Sequence, residues 1–277
     1  MSERSQNAEA TIARDDAVAL AAGRSQYRLI SGGIILGALI GMATLAGWIT
    51  PIDPIARDLA ASFFSPSKFH PMGTDELGRD VLARVLHGTR VSLLVGTLAT
   101  LLSALLGSLV GFAAGRAGGT AVRILQRSLD VMPALSTLLL PLVGATIFRA
   151  DGMASLILLL GLTTWMPVAR LVRAEAMAHS RHDVVRNAAP AIVISVTLQV
   201  GDLMLIESVL SFLGLGMAAP TPSWGGMVRQ GMGSLGDGWW VATFAGLVLA
   251  VAVAGFKLTA YGWRGALERP LAATVRE

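Results

Sequence analysis

The sequence contains a run of 25 residues, Val91–Gly115, that carries no charged side chain. The hydrocarbon core of a bilayer is crossed by about 20 apolar residues of α-helix. Five further stretches are also predominantly apolar and are read as membrane spans. They lie at about Leu29–Thr50, Leu129–Phe148, Met153–Val168, Pro190–Ala219 and Trp239–Gly262. We therefore predict an all-α, polytopic membrane protein with six transmembrane helices.

The composition excludes the two other common classes of chain. Only 14% of the residues are charged and 53% are hydrophobic, whereas a soluble domain carries about 25% charged residues. Intrinsic disorder requires low hydrophobicity and high charge, which is the opposite pattern. The chain has no cysteine, which excludes disulfides and thiolate metal sites. The net charge of +4 is interpreted as orientation charge, and no nucleic-acid partner is predicted.

The basic residues predict an orientation in the membrane. With six spans and an inner N-terminus, 15 Lys and Arg residues lie on inner segments and 7 on outer ones, which places both termini in the cytoplasm. We expect residues 1–28 to form a solvated cytoplasmic tail, 29–265 the transmembrane domain and 266–277 a second cytoplasmic tail. Interfacial aromatic residues agree with this orientation: Tyr27 and Tyr261 on the inner side; Trp48, Trp239 and Trp240 on the outer side.

Two spans carry glycine at every fourth position. Such rows allow helix backbones to approach closely, although glycine is frequent in membrane helices and chance spacing is an alternative explanation. We favour packing faces, formed by Gly33, Gly37 and Gly41 in the first span and by Gly107, Gly111 and Gly115 in the second.

The segment before the second span reads HPMGTDELGRD at residues 70–80. Thr74 is predicted as the N-cap, and an apolar face that continues to Leu86 predicts an amphipathic helix ending near Gly88. Its charges form two pairs four residues apart, Asp75 with Arg79 and Asp80 with Arg84. We expect this helix to lie at the outer membrane interface, with its charges in a structural role.

The region from His70 to Arg90, continuing through residues 91–93, resembles the signature of the second permease subunit of peptide and nickel ABC importers. The resembling residues at the outer interface are Gly73, Thr74, Asp75, Gly78, Arg79 and Asp80. Similar stretches follow in the family's order, and they read GG at 118–119, DVMP at 130–133, SFLGLG at 211–216 and PTPSWG at 220–225.

The resemblance implies a six-span permease in a bacterial inner membrane. Its implied partners are a homologous second permease, two cytoplasmic ATPases and an extracytoplasmic binding protein that delivers a peptide, nickel or a metal chelate. The chain has no G-x-x-x-x-G-K-[ST] phosphate loop, so ATP hydrolysis is expected on the ATPase subunits and the chain is not expected to be an enzyme. No cofactor is predicted.

The inner loop after the fourth span departs from the family. Relatives carry an EAA-x-x-x-G segment that forms a coupling helix for the ATPase, and about twenty residues of that region are absent here by this comparison. The candidate coupling residues are Arg173, Glu175, Arg181, His182, Asp183 and Arg186. Two hypotheses stay open: the shortened loop still docks on an ATPase, or the subunit is not driven normally.

Three polar residues lie in the predicted fifth span, Gln199, Asp202 and Glu207. Carboxylates inside a membrane are unfavourable by about 2.5–3.5 kcal/mol on insertion scales, so they face a partner or an aqueous path. We predict a translocation path at these residues, with contact of either carboxylate to Lys257 or Arg149 as an alternative. His179 and His182 have metal-ligand spacing but no third ligand nearby, so no metal site is predicted.

The leading hypothesis is the transmembrane permease subunit of an ATP-driven importer. A divergent, ATPase-uncoupled membrane scaffold is the first alternative, because the inner loop is short. A proton-coupled carrier that uses Asp202 or Glu207 is a weaker alternative, since no inverted repeat is visible in the sequence.

Overall fold

The computed structural model describes the backbone of residues 2–116, 127, 138–148, 152–178 and 181–274, and the side chains of these residues except 2–22, 181–187 and 267–274. The described chain is helical apart from loops and one isolated bridge, as the apolar stretches predict. The α-helices are α1 Ser2–Ile49, α2 Val81–Arg116, α3 Leu139–Phe148, α4 Met153–Thr163, α5 Met166–Ala178, α6 Arg181–Phe212, α7 Trp224–Gly233 and α8 Leu235–Thr274. A short 3-10 helix lies at Leu59–Ala61.

Four helical segments are long and apolar enough to cross a membrane: Gly23–Ile49, Val81–Arg116, Ala188–Phe212 and Leu235–Ala266. Helices α4 and α5 pass the same test only together, as a pair bent by 41°. The described residues therefore contain four candidate spans, or five if the bent pair counts as one, and the predicted count of six is not confirmed. Of the predicted third span, α3 supplies 10 helical residues, and residues 129–137 lie outside the described part of the chain.

The predicted fourth span, Met153–Val168, is not one straight helix. Helix α4 ends at Thr163, where the hydroxyl of Thr164 donates to the Leu160 carbonyl at 2.6 Å. Helix α5 starts at Met166 with Pro167 in its first turn, a position where the missing N–H of proline is tolerated. The chain thus breaks where hydropathy alone predicts continuity.

The first and last helices pack against each other in antiparallel fashion. A Cβ built on Gly32 would lie 2.4 Å from the hydroxyl of Thr259, and one built on Gly262 would lie 2.5 Å from Leu29. Helix α1 begins at Ser2, so the backbone of the predicted solvated tail, residues 2–28, is part of this helix. The helix is continuous across the polar-to-apolar boundary, and the location of the tail in solvent on the cytoplasmic side stays a prediction.

The two glycine rows have different roles. A Cβ on Gly107, Gly111 or Gly115 would come within 2.4–2.7 Å of α5 or of the residue just before it, which confirms the predicted packing face of α2. Gly33, Gly37 and Gly41 have no such neighbour within 4 Å among the described residues, so the first row is not a packing face within this chain.

Helix α2 lies at the centre of the described bundle and packs on α4, α5 and α6. Its apolar residues Val91, Val95 and Ala99 join a buried cluster with Leu160 and Leu203. A second cluster joins the start of α2 to α7 and α8 through Val81, Val85, Met227, Trp240 and Val241. Phe63 and Met72 of the α1–α2 loop, residues 50–80, pack against this cluster, which places the loop against the two C-terminal helices.

Candidate functional site

The α1–α2 loop is an ordered structure built on its own backbone hydrogen bonds. The amide of Phe63 donates to the carbonyl of Asp75 at 3.1 Å. The amide of Asp58 donates to the carbonyl of Leu77, also at 3.1 Å. The hydroxyl of Thr74 accepts from the amide of Phe64 at 2.8 Å and donates to the carbonyl of Ala61. The Thr74 hydroxyl therefore joins two parts of the loop by hydrogen bonds, and the prediction that Thr74 is a helix N-cap is wrong.

Asp75 is the centre of a buried charge cluster. One carboxylate oxygen accepts the amides of Leu77 at 2.9 Å and Arg79 at 3.0 Å. The other accepts the guanidinium of Arg79 at 2.7 Å and that of Arg84. The three charged side chains are only 2–4% exposed. The predicted Asp75–Arg79 pair is confirmed, but it lies in a buried loop instead of on an interfacial helix.

Asp80 follows Arg79 in the chain, is also buried, and starts α2. One of its oxygens accepts the amide of Ala83 at 2.8 Å, which is N-cap geometry, and the other contacts His70 Nδ1 at 2.9 Å. The predicted Asp80–Arg84 pair is wrong, since Arg84 reaches back to Asp75.

Two glycines of the motif have backbone conformations that other residues rarely adopt. Gly73 has φ +73° and Gly78 has φ +70°. A Cβ on Gly78 would lie 1.7 Å from the carbonyl oxygen of Asp58, and one on Gly73 would lie 2.6 Å from the indole nitrogen of Trp240. Both the left-handed turn and the close approach therefore require glycine at these positions.

The predicted amphipathic helix at the outer interface is not present. Residues 74–80 form the loop described above, α2 begins at Val81, and Gly88 lies buried within that helix against Trp224 instead of ending it. The i,i+4 charge spacing favours a helix, but the Asp75 carboxylate accepts hydrogen bonds from loop amides instead. Aspartate side chains often compete with helix formation in this way, because they bind nearby backbone groups.

The loop is bound to the C-terminal helices by side chains far away in sequence. The indole N–H of Trp240 donates to the carbonyl of Thr74 at 2.9 Å, and Arg79 donates to the side chain of Gln230 at 3.4 Å. Trp240 is 6% exposed, so its ring is covered by protein, and its position at the outer interface stays a prediction. Nothing in the local sequence signals these contacts, because the partners are 151 and 166 residues apart.

The second motif region shapes the end of α6 and the start of α7. Gly214 has φ +81°, and the amides of Gly214 and Leu215 donate to the carbonyls of Ser211 and Leu210, which is a Schellman cap. Ser223 caps α7 by accepting the amide of Gly226 at 3.2 Å. The fully buried Trp224 then donates to the carbonyl of Val85 on α2 at 3.3 Å. The two motif regions thus meet in one packed unit.

Glu207 and Gln199 face the interior of this chain. The carboxylate of Glu207 is fully buried and accepts the hydroxyls of Ser211 at 2.7 Å and of Ser92 and Ser208 at 3.4 Å. The amide of Gln199 donates to Ser103 at 2.6 Å and to the carbonyl of Thr164 at 2.9 Å, at the break between α4 and α5. Both side chains thus form hydrogen bonds between different helices.

Asp202 has a different environment. Its carboxylate lies 3.3 Å from the ammonium of Lys257 on α8, which confirms the contact considered for it. The two side chains are 54% and 40% exposed, respectively. The structure therefore brings Asp202 together with Lys257 and separates it from Gln199 and Glu207, which point into the helix packing.

The candidate coupling residues lie at the junction of α5 and α6. Arg173 and Glu175 are on α5, whereas Arg181, His182, Asp183 and Arg186 are on the first turns of α6, where only the backbone is described. Only residues 179–180 separate the two helices, and His179, the GG at 118–119 and the DVMP at 130–133 lie outside the described residues. Within the described part of the chain no group of three or more His, Cys, Asp or Glu residues could hold a metal ion.

Comparison with known proteins gives the family. Residues 178–272 match the family described as binding-protein-dependent transport system inner membrane component. The chain is 36% identical to the dipeptide transport system permease protein of Escherichia coli K12, over 87% of this chain and 89% of the relative. It is 32% identical to the dipeptide transport system permease protein of Bacillus subtilis, over 87% and 82% of the two chains. Identity to the oligopeptide transport system permease protein of that organism is 30%, over 90% and 87%.

These similarities extend over nearly the whole chain and include the two motif regions that the fold packs together. The chain belongs to the family of inner membrane components of binding-protein-dependent transport systems, among the permease proteins of peptide transport systems.

Proposed function

We propose that this chain is the transmembrane permease subunit of an ATP-driven importer that carries peptides across the bacterial inner membrane. The observation that carries the proposal is the 36% identity to a dipeptide transport permease along 87% of the chain. The sequence has no phosphate loop, so ATP hydrolysis belongs to separate ATPase subunits.

The proposed assembly contains this chain, a homologous second permease, two cytoplasmic ATPases and an extracytoplasmic binding protein. The distribution of basic residues supports cytoplasmic termini, with the α1–α2 loop on the outer side. There the buried Asp75 cluster holds the loop in one conformation against α7 and α8. We propose that the motif residues Gly73 to Asp80 act by keeping this outer surface rigid.

The ATPase contact is proposed at the junction of α5 and α6. The alignment with the Escherichia coli relative runs over 267 positions, yet 87% of this chain is about 241 residues. The relative thus has more residues in the aligned region than this chain, which supports a deletion such as the shortened inner loop. Arg173 and Glu175 on α5, followed by the charged first turns of α6, are the proposed docking surface.

Peptide is favoured over nickel or a metal chelate as the cargo because the similar permeases are named for dipeptide and oligopeptide transport. The described residues also lack a group of metal-binding side chains.

The test is reconstitution of the complete assembly in proteoliposomes. This chain is coexpressed with the second permease, the ATPases and the binding protein of the same organism's transport system, and uptake of radiolabelled dipeptide is measured with ATP. ATP-dependent uptake that is lost when any one subunit is left out supports the proposal. Uptake of nickel but not of dipeptide contradicts the proposed cargo. Uptake that survives without ATP and collapses with the proton gradient favours the carrier.

The short α5–α6 connection supports one second candidate, a scaffold subunit uncoupled from ATP hydrolysis. A chain that assembles with its partners but supports no uptake favours the scaffold. Insertion of a full-length coupling loop from a relative should then restore ATP-driven uptake. If the native chain already gives full uptake, the scaffold hypothesis is rejected.

A further inference from the structure

Asp202 and Lys257 form an ion pair between two membrane-spanning segments. Asp202 lies in the segment Ala188–Phe212 and Lys257 in the segment Leu235–Ala266, with 3.3 Å between the carboxylate and the ammonium. The pair is about half exposed on the surface of this chain. Its surroundings on that surface are apolar, with Leu205 and Val209 following Asp202 on α6 and Ala254 one turn before Lys257 on α8.

Lipid is an unfavourable neighbour for this surface. Charged side chains within membrane spans face the interior of a bundle or a water-filled cavity, because hydrocarbon does not solvate them. The side chains of Asp202 and Lys257 leave the packed interior of this chain, since about half of each is exposed. The surface must therefore face either water or another protein chain.

Water is favoured over a dry protein interface. The pair is already neutral within this chain, so no charge from a partner is needed to balance it. Enclosing a neutral ion pair in a protein interface removes its solvation, a penalty that its mutual attraction often fails to offset. An aqueous pathway between two permeases leaves the pair solvated.

We propose that the Asp202–Lys257 pair lies on the wall of the aqueous transport pathway and contacts the charged ends of a peptide in transit. This inference rests on the proposed function. An ammonium group has three donors and a carboxylate has several acceptor positions, so the single contact between the two side chains leaves most of this capacity free. The peptide carboxylate pairs with Lys257 and the peptide ammonium with Asp202. Solvent keeps these contacts weak, as release of a transported solute requires.

Cysteine labelling tests the location. The chain has no native cysteine, so single-cysteine variants of this subunit report one position each. Asp202→Cys and Lys257→Cys are compared with Leu203→Cys, a neighbour in the chain that is 1% exposed. In the full assembly we expect a water-soluble thiol reagent to modify positions 202 and 257 at least ~10-fold faster than position 203, because the reactive thiolate forms in water. Equal rates at 202 and 203, with 257 equally slow, overturn the location.

Charge variants test the contact with peptide. Asp202→Asn and Lys257→Gln are each expected to lower the number of peptides imported per ATP hydrolysed by about 1.5- to 5-fold, the effect of losing one solvated charge contact. The exchanged pair, Asp202→Lys with Lys257→Asp, keeps an ion pair but reverses its direction. Under the proposal the number of peptides imported per ATP stays low in the exchanged variant. If that number returns to the native value, the pair is purely structural and the proposed contact with peptide is overturned. Asp237→Asn, an exposed position outside this surface, is the control.

Failure of this inference is distinguishable from failure of the proposed function. If the native assembly imports no peptide with ATP, the proposed function fails. The labelling rates still report whether position 202 is in water. If the native assembly imports peptide and positions 202 and 257 are unreactive, only the inference about the pair fails.

Discussion

Two sets of opposite charges in this chain differ mainly in their exposure. The cluster of Asp75, Arg79 and Arg84 is 2–4% exposed, and Asp75 also accepts two backbone amides. The pair of Asp202 and Lys257 is 54% and 40% exposed, with a single contact of 3.3 Å. In the first set the hydrogen-bonding capacity of the carboxylate is filled by the protein, and in the second set most of it is free.

The difference separates a structural role from a binding role. A buried carboxylate whose partners are fixed cannot exchange them for a solute, and its removal leaves uncompensated buried charge. An exposed pair contributes little to stability, because water screens it, but it can bind a passing charged group. Four substitutions test this contrast, beginning with the largest expected effect on stability.

Asp75→Asn should destabilise the protein most. The change leaves the guanidinium groups of Arg79 and Arg84 buried without their counter-charge, which lowers the free energy of unfolding by about 3–5 kcal/mol. Thermal unfolding of the purified assembly in detergent, followed by tryptophan fluorescence, measures the change. Asp237→Asn at an exposed position is the matched control. A loss below about 1 kcal/mol, the range of an exposed ion pair, contradicts a structural role for the cluster.

Gly78→Ala should destabilise the α1–α2 loop by about 2–3 kcal/mol, because a side chain at positive φ is strained. The added Cβ also overlaps the carbonyl of Asp58. Limited proteolysis of the loop, together with the unfolding temperature, measures the effect. Gly236→Ala is the control, since no described atom outside its immediate neighbourhood lies within 4 Å of its Cβ position. Equal behaviour of the two variants shows that the turn adapts to a side chain.

Trp240→Phe should lower the free energy of unfolding by about 1–2 kcal/mol, because the carbonyl of Thr74 loses its indole donor in a buried site. Trp239→Phe removes the same N–H from a neighbouring indole that is 51% exposed, and it should have a smaller effect. Unfolding is followed by circular dichroism, since both variants change the tryptophan signal. If the effects are equal, the link between the loop and α8 does not depend on this hydrogen bond.

Asp202→Asn should change the free energy of unfolding by less than about 1 kcal/mol, as expected for an exposed ion pair. The same assay as for Asp75→Asn makes the two values directly comparable. A loss of similar size at both positions removes the distinction drawn between the two sites.

The sequence predicted the features that depend on local pattern. The all-helical membrane fold follows from apolar length, and the packing row of Gly107, Gly111 and Gly115 follows from helical spacing. The pairing of Asp75 with Arg79 was also found, although the helix expected to carry it is a loop. The contact of Asp202 with Lys257 was one of several alternatives, because hydropathy cannot choose among the possible partners of a charge within a span.

The remaining features depend on packing between distant segments. The four-residue spacing predicts a pair of Arg84 with Asp80, but the loop that turns at Gly73 and Gly78 brings the Asp75 carboxylate to Arg84 instead. The position of Trp240 at the end of a span predicts an interfacial side chain, but it does not predict that the loop covers the ring and accepts its N–H. The bend between α4 and α5 interrupts a stretch whose hydropathy is continuous.

The sequence by itself determined that this chain is helical and membrane-spanning, since transfer of apolar side chains into lipid is a sum over residues along the chain. It also determined the family resemblance, because the motif glycines and charges are read directly. Only the tertiary structure decided which charges are buried and which are exposed. That distinction depends on the surfaces that α2, α6, α7 and α8 cover when they pack, and those surfaces come from residues more than a hundred positions apart. The electrostatic energy of a charged side chain depends far more on how deeply the packed helices bury it than on its neighbours in sequence.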